Sequence, residues 1–184
     1  MKYLKLALFI SLFSNFVVYA QDSKSINENA QQSSTQTQPK EITVQLTPFG
    51  YMALPKGYWA FMDYDMMDAW GSVIETLNGD FKIRFSDGII VSVFDGEDKN
   101  IKWKKELKTE NYSIIYALTD DGKTKRVLAK IDSSNFSTEI KNDSDIDKFL
   151  EVISRYRTGR CEKCFYSKTA KNLRKFFEKY NAND

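Results

Sequence analysis

The dipeptide Asn78-Gly79, set between two alternating runs, constrains this chain more than any other feature. Residues 73–77 precede the turn and 81–85 follow it. Phe81, Ile83 and Phe85 point one way, Lys82 and Arg84 the other. A period of two belongs to a strand with one buried face, and Asn-Gly supplies the positive φ angles of a tight hairpin. An antiparallel ribbon with one apolar face needs a cover, from further strands or a helix.

The rest of the chain supplies candidates for both. Residues 41–46 alternate polar and apolar, which reads as a half-buried strand stopped by Pro48 and Gly50. Leu54-Pro55-Lys56-Gly57-Tyr58 reads as an extended piece and a turn. Residues 59–70 are aromatic, Met-rich and acidic without a clear period, and are expected to be irregular or a short helix. Asp87-Gly88 turns the chain into residues 89–94, nearly all apolar and expected to be a central strand ended by Asp95-Gly96. A second hairpin pairs 112–118 with 124–131. Between the hairpins, the basic residues 100–108, with Trp103, form a strand or a helical turn.

Residues 142–145 are a helix-start cluster whose carboxylates suit the positive end of the helix dipole. Ile146, Phe149, Leu150, Ile153 and Tyr156 then recur at helical spacing, with Arg155, Arg157 and Gly159 as C-terminal signals. The expected fold is α+β: a twisted antiparallel sheet of five to seven strands packed by this amphipathic helix, plus a C-terminal helix.

Four segments are expected. Residues 1–20 read as a signal peptide: Lys2 and Lys5, then an apolar stretch, then Val18-Tyr19-Ala20 for cleavage after Ala20. The apolar stretch is about 13 residues, short of the roughly 20 that span a bilayer. Residues 21–40, QDSKSINENAQQSSTQTQPK, read as a disordered polar linker. Residues 41–160 are the α+β domain, and 161–184 carry a Cys-x-x-Cys pair and a basic amphipathic helix. The mature protein is expected to be periplasmic or secreted, in an oxidising place. Losing Lys2 and Lys5 takes the formal charge from +2 to 0.

The Leu54-Pro55-Lys56-Gly57-Tyr58 piece, the Gly79-Asp80-Phe81-Lys82-Ile83 hairpin and Asp145-Ile146-Asp147-Lys148-Phe149-Leu150 resemble segments of small exported bacterial proteins with a PsbP/Mog1-like architecture. That resemblance implies helices on an antiparallel sheet and an accessory or binding role. It supplies no catalytic residues.

The chain holds no histidine, which removes Ser-His-Asp and Cys-His nucleophiles and His-bearing metal sites. No catalytic constellation, metal site or cofactor is expected. Cys161 and Cys164 admit three readings: a local disulfide, a redox pair beside Arg160, Lys163 and a following helix N-terminus, or a link to another chain. Asp63, Asp65 and Asp68 suggest a calcium site but lack the glycine and bidentate Glu of an EF-hand loop, so a solvated loop is expected. Asp143, Asp145 and Asp147 fail the same test and read as helix capping.

Charge is unevenly placed. Residues 41–150 hold 14 basic and 19 acidic residues, and 151–184 hold 9 basic and 4 acidic. In the tail, Leu173, Phe176, Phe177 and Tyr180 share a helical face beside Lys171, Arg174, Lys175 and Lys179. Those cations suit either docking on the chain's own acidic body or contact with a membrane surface or acidic partner. Export and an acidic body disfavour nucleic acid. The functional expectation is a non-catalytic binding or accessory module of the bacterial cell envelope. Its partner is an unknown protein or envelope component, met through aromatics among Tyr58, Trp59, Phe61 and Trp70. The alternatives are a thiol–disulfide protein using Cys161 and Cys164, and a membrane-surface accessory protein held by the tail helix.

Overall fold

The computed structural model describes residues 41–88, 92–97, 99–166 and 170–182. The expected signal peptide and linker therefore lie outside the described residues. The Asn78-Gly79 turn joins β4 (Ala69–Thr76) to β5 (Lys82–Gly88), with Ile74 opposite Ile83 and Ser72 opposite Phe85. Gly79 takes φ +76°, as the turn demands. Along β5, Ile83 and Phe85 are buried while Lys82 and Arg84 are exposed, as the alternation predicts.

This hairpin supplies the second and third strands of a seven-stranded antiparallel sheet. Its order is β3 (Tyr58–Asp65), β4, β5, β9 (Ser134–Glu139), β8 (Lys125–Ile131), β7 (Ser113–Asp120) and β6 (Ile101–Lys108). A second, four-stranded sheet has the order β10 (Tyr156–Thr158), β2 (Gly50–Leu54), β1 (Ile42–Thr47) and β11 (Phe165–Tyr166), with β11 parallel to β1. Helix α1 (Ser144–Ile153) links β9 to β10, and α2 (Ala170–Ala182) closes the described chain against β3. The expected α+β class and the sheet of up to seven strands are found. The smaller sheet, built from β1, β2 and the segments after α1, is an addition.

The main core unites both sheets and both helices. Val44, Leu46 and Met52 meet Ile74, Ile83, Phe85, Val127, Ala129 and Phe136, with Phe149, Val152 and Ile153 of α1 and Phe177 of α2. Among the described residues, every buried residue of this core lies between Ile42 and Phe177. Tyr156 is fully buried at its centre, its ring 5.4 Å from Phe85 and 5.3 Å from Phe136.

Four expectations are corrected. Residues 59–65 and 69–70 are strand, in β3 and β4, and only 66–68 between them are irregular. A register shift between Met62 and Tyr64 breaks the period that would have announced them. Ser92–Phe94 is not a central strand but enters a turn closed by Asp95 N–H to Ser92 O and Glu97 N–H to Phe94 O. Residues 89–91 lie outside the described residues. The central place is taken by β9, whose inward Ser134 and Thr138 bond to Tyr156 Oη and Lys82 O instead of showing an apolar pattern. Helix α1 ends at Ile153, so Tyr156 and Arg157 belong to β10. Gly159 (φ +113°) ends that strand rather than the helix. Lastly, Asp143 makes no capping bond; Asp145, inside the first turn, accepts from Lys141 N–H (2.8 Å) and Asn142 N–H (3.2 Å).

Candidate functional site

In an antiparallel sheet, residues directly opposite one another share a face. Three rows therefore run across the face of the large sheet opposite to Ile83 and Phe85. In the first, Trp59 faces Glu75 and Glu75 faces Lys82, while Glu139 faces Arg126. Charges alternate here and are compensated: Lys82 pairs with Glu75 at 3.1 Å, and Arg126 with Glu97 at 3.1 Å. The second row reads Phe61, Val73, Arg84, Ser137, Leu128, Ala117 and Lys104. The third reads Tyr64, Gly71, Ser86, Asn135 and Lys130.

Arg84 stands alone in the second row. Its cross-strand neighbours are Val73 and Ser137, and its guanidinium has no ion pair or hydrogen bond among the described residues. It lines two adjoining cavities. The larger, of about 520 Å³, is bordered by Lys82, Arg84, Lys123, Lys125, Arg126 and Lys141, with Asp80 and Glu139 as the acids. Asp80 is already engaged: it accepts from Thr76 Oγ1 (2.7 Å) and Asn78 Nδ2 (3.0 Å), and the Thr76 bond chiefly holds its carboxyl below the usual range. The smaller cavity, of about 200 Å³, has Arg84 and Asp63 as its charged residues, with Tyr64, Ser86, Asn135 and Ser137 beside the apolar Val93 and Phe136.

Local sequence explains the shape. Gly71 leaves room for the Tyr64 ring, since a Cβ there would stand 2.0 Å from it. Tyr64 lies across that gap and bonds Ser86; burial, its largest influence, raises the phenol above its ordinary value. Asn135 Oδ1 accepts from Val93 N–H at 3.0 Å and so fixes one wall. A guanidinium fork flanked by a hydroxyl matches the oxygens of a carboxylate, phosphate or sulfate. With six cations about one groove, the site is locally basic although residues 41–150 carry a net −5.

The residues expected from sequence do not assemble into one surface. Trp59 is buried, with Phe61 stacked on it at 4.7 Å and the Arg174 guanidinium 5.6 Å over its ring. Tyr58 is half-buried at the start of β3. Trp70 lies near the opposite end of the β3–β4 hairpin, edge-on to Phe49 at 5.2 Å. Asp63, Asp65 and Asp68 are exposed on that hairpin. Among the described residues no three His, Cys, Asp or Glu side chains group as metal ligands.

Cys161 and Cys164 are joined to each other by a disulfide, Cα atoms 5.4 Å apart. Strand β11 follows the pair directly in the chain, in the place where the redox reading expected a helix N-terminus. Its anchor is Gln45, which is buried. Gln45 Oε1 accepts from Cys161 N–H (2.8 Å), and Nε2 donates to the carbonyls of Thr47, Gly50 and Gly159.

Of the tail cations, Arg174 is committed to the body, donating to Leu77 O (2.9 Å) and pairing with Glu178 (3.0 Å). Lys175 and Lys179 are exposed, and the Lys171 side chain lies outside the described residues. The groove around Arg84 carried no motif in the sequence. The one available signal was an arginine on the polar face of a strand whose opposite neighbours are uncharged. Comparison with family models, with curated proteins and with solved structures returns no match.

Proposed function

We propose that the protein is an exported, non-catalytic binding module of the bacterial cell envelope whose ligand site is the groove centred on Arg84. The unpartnered guanidinium at the junction of two cavities carries this reading. The Arg84 side chain is exposed, so its fork of N–H donors is free to meet an anion in charge-assisted hydrogen bonds. The ligand class is a small organic anion bearing carboxylate, phosphate or sulfate, with hydroxyls to meet Tyr64, Ser86 and Asn135. Export is supported by the signal-like residues 1–20 and by the Cys161–Cys164 disulfide, which persists in oxidising compartments. The accessory role implied by the PsbP/Mog1-like resemblance agrees with this reading.

The test is an amide NMR titration of the chain lacking residues 1–20 with inorganic pyrophosphate. The expected shifts centre on β5 and β9 around Arg84 and Ser137. Arg84→Gln weakens binding about tenfold or more, the usual worth of a charge-assisted hydrogen bond. Shifts that gather instead on the lysines of β6, or that ignore Arg84→Gln, would overturn the assignment.

A further inference from the structure

Helix α2 sends its apolar residues in two directions. Phe177 is buried in the core, and on that side Asn181 Oδ1 accepts from Gly57 N–H at 2.9 Å while Arg174 reaches Leu77 O. The Phe176 ring meets Phe177 edge-on at 5.7 Å but stays outside the core. Phe176 is 38% exposed, and its ring is 4.7 Å from Phe165, which is 42% exposed. Tyr180, stacked 6.3 Å from Phe176, is half-buried against the core and bounds the strip.

At 3.6 residues per turn, Lys179 stands about 60° round the helix from Phe176, and Lys175 about 100°. Glu178, the acid of this turn, stands roughly opposite Phe176 and is paired with Arg174. Lys163, in the disulfide loop two residues before Phe165, is also exposed. Two phenyl rings left partly in water beside lysines mark a contact surface rather than packing.

We propose that this strip, Phe165 and Phe176 with Lys163, Lys175 and Lys179, seats the protein on an anionic bilayer surface. The rings enter the headgroup boundary and the ammonium groups meet lipid phosphates. Charge decides the occupant and the orientation. Residues 151–184 carry a net +5 and residues 41–150, outside the basic Arg84 groove, are predominantly acidic, so a negative surface attracts the α2 strip. The inference is independent of the Arg84 groove.

The experiment is co-sedimentation of the chain lacking residues 1–20, which leaves every core residue in place. The vesicles are phosphatidylcholine alone and phosphatidylcholine mixed with phosphatidylglycerol. The chain is expected on the mixed vesicles at low salt and not on phosphatidylcholine alone. Lys175→Gln with Lys179→Gln weakens binding about thirtyfold, the worth of two lysines near an anionic leaflet. Phe165→Ser with Phe176→Ser, both exposed positions, weakens it at low salt and abolishes it at high salt, where screening leaves only the apolar part. The proposal is overturned if the chain ignores the mixed vesicles, or if both double variants bind as the parent does.

Discussion

Asp145 shows how much one side chain decides. It sits in the first turn of α1 and reaches back to two backbone N–H groups, with Lys148 Nζ 3.5 Å away. Burial alone would raise its carboxyl, but the bonds from Lys141 and Asn142 and the charge of Lys148 reverse this and lower it. A lowered folded value means that the ionised form stabilises the fold. That stabilisation is full above the unfolded-chain value of about 4 and is lost as pH falls through the lowered one. Asp145→Asn should therefore cost about 1–2 kcal/mol at neutral pH, as loss of a cap does, and urea melts in acid should show the gap closing. Gly50 is constrained from the other side. A Cβ there would stand 2.2 Å from the hydroxyl of Tyr156, which cannot withdraw because it is buried and shares a 2.8 Å bond with Ser134 Oγ. Gly50→Ala should destabilise by about 1–3 kcal/mol in the same assay. The helix-start cluster was legible in sequence, but which of its carboxylates caps was not. That depended on where β9 delivers Lys141 and Asn142.

Elements differ in how plainly the chain announces them. The β4–β5 and β7–β8 hairpins were legible because a turn sat between alternating runs, and the structure pairs Asp120 with Lys125 across the second. Strand β9 was invisible. Its residues are SNFSTE, and Phe136 is the one large apolar side chain among them. Its entry turn uses Asp132 at φ +52°, a left-handed residue that Asp tolerates better than most. Helix α2 was legible as amphipathic, and its residues offered both docking and surface attachment. The structure shows docking through Phe177, with Phe176 left outside. Phe177→Ala should therefore cost about 3–5 kcal/mol, read by thermal or urea unfolding, as large core truncations do. If stability is unchanged, the helix does not brace the body.

At the scale of the molecule, two sheets share one core, and the large sheet's outer face is left for Leu128, Ala117 and Phe94 on one part and the Arg84 groove on another. Among the described residues every core residue lies at Ile42 or later, and the polar composition of residues 21–40 predicts that a chain starting at Glu41 unfolds within about 0.5 kcal/mol of one starting at Gln21. A larger loss by calorimetry would show that residues 21–40 brace the fold rather than tether it. The sequence by itself determined the class, the strongest hairpins and the start of α1, while the structure was needed to join Cys161 to Cys164. The first three are local matters, decided by period, turn chemistry and spacing. Only the tertiary structure decided that Trp59 is buried, that Gln45 holds the disulfide loop and that Arg84 is left without a counter-charge. Each of these depends on which strand lies next to which, and strand order is set by contacts between residues far apart in the chain.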